Sequence, residues 1–120
     1  MGFLDRIRNK GAPATTQEAD QLVLRQLTGR GADLAKPRHV IHYLYFEHET
    51  SARDAAAMIG QAEWETEIGA PDERIAEWSV RAAGYRIIGT VTVDAFRAWF
   101  EEIAAEFQGE YDGWEASAKP

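Results

Sequence analysis

Pro37-Arg38-His39-Val40-Ile41-His42-Tyr43-Leu44-Tyr45-Phe46 is the densest run of β-branched and aromatic residues in the chain. A proline opens it, polar residues close it, and its length favours a strand over a helix. It is apolar on both faces, whereas an edge strand normally carries protective charge, so it reads as the central strand of a sheet. Alternation puts Val40, His42, Leu44 and Phe46 on one side and His39, Ile41, Tyr43 and Tyr45 on the other. The first set is the more aliphatic and is assigned to the helices. The second, with two phenols and a histidine, suits a wet or partner-facing surface.

Upstream, Thr15-Thr16-Gln17-Glu18 is a capping box, and Ala19, Leu22, Val23 and Leu27 make an amphipathic helix from about Thr16 to Thr28. Gly29 and Gly31 terminate it. Residues 1–15 form an N-terminal segment that is either a short helix, with Phe3, Leu4 and Ile7 on one side, or disordered. Residues 16–120 form a single domain.

Downstream, Ser51 and Asp54 make a second capping box before a stripe of Ala52, Ala55, Ala56, Ile59 and Ala62, small residues that let a helix lie close to a sheet. Residues 63–68 alternate, with Trp64, Thr66 and Ile68 inward and Glu63, Glu65 and Glu67 outward. Gly69-Ala70-Pro71-Asp72 is a turn. A further strand begins near Ala76, with Trp78, Val80 and Ala82 on one face, and Gly84 is a candidate bulge. Thr92 is read as the cap of a last helix with Asp94 at its positive end. Its stripe of Phe96, Trp99, Phe100, Ile103 and Phe107 is the strongest periodic signal in the chain and is assigned to the core. Gly109 ends the helix, and Glu110-Tyr111-Asp112-Gly113-Trp114 is read as a short closing edge strand.

After the first helix the order is βαββαβ, which fits a ferredoxin-like α+β domain: an antiparallel sheet with two helices on one face. The extra N-terminal helix is a candidate cover for the other face.

Composition narrows the function classes. The net charge is −7, but residues 1–60 carry +1 and residues 61–120 carry −8. An acidic half repels phosphate backbones and attracts basic segments of other proteins, so no direct nucleic-acid ligand is expected. An RNA platform on Tyr43 and Tyr45 would lack the basic groove that such binding uses. There is no cysteine, hence no disulfide, thiolate metal site or thiol nucleophile. No apolar run reaches the ~20 residues of a membrane span, and a cytoplasmic protein is expected.

The three histidines do not make a metal site: His39 and His42 point to opposite faces, and His48 lies in a polar loop. The glutamates at 63, 65 and 67 face water and are expected to pair with Arg81 or Arg86 across the hairpin. No nucleophile elbow, phosphate-binding glycine loop or His-Asp-Ser set is present, so neither catalysis nor a cofactor is expected. What is left is protein binding. Glu101, Glu102, Glu106, Glu110 and Asp112, together with the Glu63 row, form a candidate acidic docking surface for a basic partner segment. The competing reading is a small-molecule- or peptide-binding module that uses His39, Tyr43 and Tyr45 on the open sheet face, or dimerises there.

Four stretches together resemble a known family. Gly31-Ala32-Asp33-Leu34-Ala35-Lys36-Pro37-Arg38, His42-Tyr43-Leu44-Tyr45-Phe46, Trp78-Ser79-Val80 and Gly109-Glu110-Tyr111-Asp112-Gly113-Trp114-Glu115 resemble the RraB family, regulators of ribonuclease E activity. The order and spacing agree from about Leu22 to Ala116, and Glu-Tyr-Asp-Gly-Trp after a helix is the most specific element. The resemblance implies a ferredoxin-like fold and a non-catalytic protein that binds ribonuclease E and lowers its endonucleolytic action. It singles out His42, Phe46, Trp78, Tyr111, Asp112, Gly113 and Trp114 as the family motif.

Overall fold

The computed structural model describes residues 6–8 and 16–119. It is an α+β fold built on an antiparallel sheet. Strand β1 is Arg6–Arg8, helix α1 Thr16–Gly29, strand β2 Arg38–Phe46, helix α2 Glu49–Gln61, strands β3 and β4 Glu65–Gly69 and Trp78–Arg86, helix α3 Thr90–Glu106 and strand β5 Gly109–Ser117. The sheet order is β1-β5-β2-β4-β3, every pair antiparallel. The aromatic run is therefore an interior strand, hydrogen-bonded to β4 on one side and β5 on the other.

All three helices lie on the Val40-His42-Leu44-Phe46 side. Leu44, Phe46, Val80 and Ala82 pack with Ala52, Ala55 and Ile59 of α2 and with Phe100, Ile103 and Ala104 of α3. The small residues of α2 allow that close approach, and burial of each aromatic or branched side chain contributes roughly 1.5–3 kcal/mol. Helix α1 does not cover the other face, as the sequence suggested. Its Val23, Leu24 and Leu27 join Val40, Val93, Trp114 and Ala116 in a second cluster on the same side.

Several local readings change. Within the N-terminal segment, Arg6–Arg8 is a strand on the outer side of β5, where a short helix was one of the two expectations. A helix this short cannot offset its nucleation cost, whereas a sheet edge offers ready backbone partners. The rest of that segment, with Thr15 of the first capping box, lies outside the described residues. For the same reason β5 is not the sheet's edge, and at nine residues it is longer than the five-residue strand expected.

Helix α2 starts at Glu49 with His48 as its N-cap, so Ser51 lies inside the first turn and caps nothing. Thr92 is likewise not the N-cap of α3. That position is Gly89, whose N–H donates to Thr92 Oγ1 at 2.7 Å from the third helical position. Helix α1 runs through Gly29 and stops at Gly31, whose φ of +85° suits glycine. There the Ala32 N–H reaches Leu27 O and the Gly31 N–H reaches Thr28 O, a Schellman closure. Trp64 precedes β3 and is still buried.

The bulge is not at Gly84, where β4 stays in register with β2 from Arg38↔Arg86 to Phe46↔Trp78. It falls on β5, opposite the His42–Leu44 step, in the Asp112-Gly113 region, where Gly113 has a φ of +99°. Gly84 has a packing role: a Cβ there would lie 2.8 Å from Arg86 Nη1 and 3.1 Å from the Trp64 ring. The missing side chain lets the Arg86 guanidinium sit 4.1 Å from the Trp64 ring centre.

Candidate functional site

The ionisable and polar groups divide into a sealed set beneath the helices and an accessible set on two surfaces. The sealed set joins α1, β2, α3 and β5. Asp20 is 0% exposed on the inner side of α1. Its Oδ2 accepts from Arg97 Nε at 2.7 Å, and its Oδ1 from Arg97 Nη2 and Trp114 Nε1, each at 2.9 Å. A buried carboxylate persists in this setting because a fork-like guanidinium and an indole N–H replace the water it lost. The Arg97 guanidinium also lies 5.1 Å from the Tyr111 ring centre.

Tyr111 Oη is 2.7 Å from His42 Nδ1, and the His42 ring stacks on Phe100 with centres 4.1 Å apart. Burial drives the His42 imidazole well below its ordinary value, and the charges of Arg97 and Arg86 push it the same way. Burial likewise raises the Tyr111 phenol far above its usual range, which the Arg97 charge only partly opposes. Both groups are neutral near pH 7, and His42 Nε2 has no hydrogen-bond partner among the described residues. At 1% exposure His42 offers no approach to a substrate. The pair orders the core; it has no geometry for proton transfer to a ligand.

Of the motif residues named from the sequence, His42, Phe46, Tyr111 and Trp114 all lie beneath the helices: Phe46, Tyr111 and Trp78 belong to the cluster under α2 and α3, where His42 stacks on Phe100, and Trp114 belongs to the second cluster with α1. Asp112 and Gly113 lie at the bulge. Sequence reasoning missed Asp20, Arg97 and Arg38. Arg38 is fully buried and donates from Nη1 to Ser117 O and Ala118 O, and from Nη2 to Asp33 O. It ties the start of β2 to the end of β5. In the sequence it looks like one more polar residue before a strand, and only its fixed position on the inner side gives it away.

The first accessible surface is the sheet face that no described element covers. His39, Tyr43 and Tyr45 of β2 share it with Ser79, Arg81 and Tyr85 of β4, Glu65 and Glu67 of β3, and Glu110 and Glu115 of β5. The three β2 residues are half-buried, and Tyr85 is 64% exposed beside His39, with ring centres 5.5 Å apart. The Tyr43 hydroxyl donates to a Glu115 carboxylate oxygen. Arg81 stands opposite Glu67, whereas Arg86 turns to the Glu63 and Ala62 carbonyls and does not pair with a carboxylate of the row.

The second surface is the outer side of α3, where Glu101, Glu102 and Glu106 are exposed. The acidic set expected to act as one patch is therefore divided. Glu110, opposite Tyr45, belongs to the sheet face, and Asp112 is half-buried at the bulge. No group of three His, Cys, Asp or Glu side chains among the described residues could hold a metal ion. No described helix is long and apolar enough to cross a membrane.

The family model described as regulator of ribonuclease activity B matches residues 17–116, which includes the buried network and both accessible surfaces. The chain belongs to the RraB family. A search of curated proteins finds no match. RraB is a family of regulators, and the match begins in α1 and ends in β5, so it takes in the three helices and strands β2 to β5 but not β1.

Proposed function

We propose that this RraB-family chain is a non-catalytic cytoplasmic regulator that binds an endoribonuclease, ribonuclease E or a similar enzyme, and lowers its cleavage of RNA. The observation that carries the reading is the family match combined with the exposed acidic side of α3. Glu101, Glu102 and Glu106 project from a helix whose opposite side is fixed in the core by Phe100, Ile103 and Ala104. A rigid acidic ridge of this kind suits an arginine-rich, unfolded segment of a larger enzyme, and occupying that segment would keep RNA or a scaffold partner from it. The sealed His42–Tyr111 pair supports a role without chemistry. We read the four-strand core as ferredoxin-like, supported by the order β5-β2-β4-β3, with β1 added outside it.

The deciding experiment adds the purified chain to an endoribonuclease cleavage assay with a defined RNA. Slower cleavage, with co-sedimentation of the two proteins and none of chain with RNA alone, is expected. Unchanged cleavage with no complex at micromolar concentrations would overturn the proposal. The second reading, a binding module on the open sheet face, is favoured by His39, Tyr43 and Tyr45 standing half-exposed on one surface. It predicts that Tyr43→Ala with Tyr45→Ala abolishes binding while charge reversal on α3 does not.

A further inference from the structure

An open groove of about 510 Å³ runs along α1, lined by Gln21, Leu24, Arg25, Thr28, Leu34 and Thr90 among others. Its four α1 side chains fall at i, i+3, i+4 and i+7, one stripe of the helix beside the core residues Val23 and Leu27. The loop after α1 supplies Leu34, and the first residue of α3 supplies Thr90. Leu24 is 5% exposed, and Leu34 is half-buried against the same core cluster, so the apolar floor is held from below. The volume lies within the range of small-ligand pockets.

Two hydrogen-bond donors beside this floor are unused. Gln21 Oε1 accepts from Thr90 Oγ1 at 3.1 Å, but Gln21 Nε2 is shielded from solvent and has no partner among the described residues. Exchanging the amide oxygen and nitrogen moves the vacancy to the other atom without filling it. Arg25 is exposed and forms no ion pair with a described residue. Gln21 and Arg25 stand four apart, so they are neighbours on the helix surface. Thr28 differs, because its hydroxyl already donates to Leu24 O at 3.1 Å. Among the described residues no carboxylate lines the groove, in a chain of net charge −7. The complement is an anionic, acceptor-only head on an apolar body. A carboxylate fits better than a phosphate. One guanidinium is on hand, and α1 ends beside it at Gly29, where the helix carbonyls disfavour a second negative charge.

We propose that this groove binds a small organic carboxylate with an aliphatic body, its head between Arg25 and the Gln21 amide and its chain over Leu24 and Leu34. A ligand seated there bridges α1 and the start of α3. Such a site is independent of the regulator reading, since it uses neither the acidic side of α3 nor the open sheet face.

NMR titration of the isotope-labelled full chain with decanoate tests it, with decanol and decylammonium as comparisons. Decanoate is expected to shift the amides of residues 21–29, Leu34 and Thr90 and to saturate with a dissociation constant on the order of 0.1–1 mM. Decanol should bind roughly three- to tenfold more weakly. Arg25→Glu, an exposed change that leaves the core cluster untouched, should reverse the order and favour decylammonium over decanoate. Gln21→Leu should weaken decanoate without reversing the order, and Leu34→Trp should fill the groove and weaken all three. Equal binding of decanoate and decanol, shifts that map elsewhere or rise without saturation, or indifference to Arg25→Glu would each overturn the proposal. So would shifts of the same residues with protein concentration alone, which would assign the groove to a second copy of the chain.

Discussion

The Trp114 indole N–H donates to Asp20 Oδ1 at 2.9 Å, across 94 positions of sequence, and joins the last strand to the first helix of the domain. Arg97 closes the same carboxylate from α3. Removing one member of a buried pair leaves an uncompensated charge, so Asp20→Ala should destabilise the chain by about 3–5 kcal/mol in urea unfolding. The double variant Asp20→Leu with Arg97→Met removes both charges and should lose less than Asp20→Ala alone. If the double variant loses as much as both singles together, the pair is not coupled as described.

His42 makes stability depend on pH in a definite direction. Its folded-state pKa is depressed, so below the ordinary histidine value of ~6.5 the unfolded chain takes up a proton that the folded chain refuses. Its contribution is therefore fully present above about pH 7 and declines as pH falls through ~6.5, with a slope of up to ~1.4 kcal/mol per pH unit. Urea unfolding of wild type and His42→Leu at several values between pH 5.5 and 7.5 measures this. The variant is expected to be less stable overall, because Tyr111 loses its partner, but to show a flatter profile. An unchanged slope in His42→Leu would assign the pH dependence elsewhere.

The sheet was legible from the sequence because its signals are strictly local. The Val40–Phe46 run gave the interior strand, the alanine stripe gave α2 and the Phe96–Phe107 stripe gave α3. What was not legible depends on distant pairing. Arg6–Arg8 shows no strand pattern of its own and becomes a strand only opposite Ser117–Glu115. Asp20 and Arg97 look like solvated helix residues until the clustering of α1 and α3 around Trp114 and Val93 buries one of them entirely. The sequence shows which residues are acidic but not which surface each of them joins. Their division between α3 and the sheet face follows from the turn at Phe107–Gln108, where Gln108 has a φ of +60° that an alternation pattern cannot anticipate.

Two glycines should respond oppositely to alanine. At Gly109 an added Cβ would press into the Phe46 ring and lie 2.6 Å from the Tyr45 carbonyl oxygen, a backbone atom that cannot swing aside. Gly109→Ala should cost about 1–3 kcal/mol. At Gly60, inside α2, nothing lies within 4 Å of the added carbon, and Gly60→Ala should stabilise by about 0.5–1 kcal/mol through helix propensity. Thermal or urea midpoints of the two variants suffice, and equal effects of the same sign would contradict the contacts assigned at the β2–β5 junction.

The α3 ridge gives the proposed regulation an electrostatic signature. Glu101, Glu102 and Glu106 are exposed, so replacing them with lysine should leave the unfolding midpoint within about 0.5 kcal/mol of wild type, apart from the lost Arg97–Glu101 contact at 3.5 Å. Binding to an arginine-rich enzyme segment should instead fall sharply, since three attractions become three repulsions, each on the order of 1 kcal/mol at low salt. Raising ionic strength screens such pairs over ~8–10 Å, so wild-type binding should weaken steeply between 50 and 300 mM salt, roughly the physiological range and its margins. The reversed variant, having little attraction to screen, should show a shallow dependence. Isothermal titration of both proteins across that series is the measurement. Wild-type affinity that is flat with salt would remove the acidic ridge from the mechanism and leave the sheet face to account for docking.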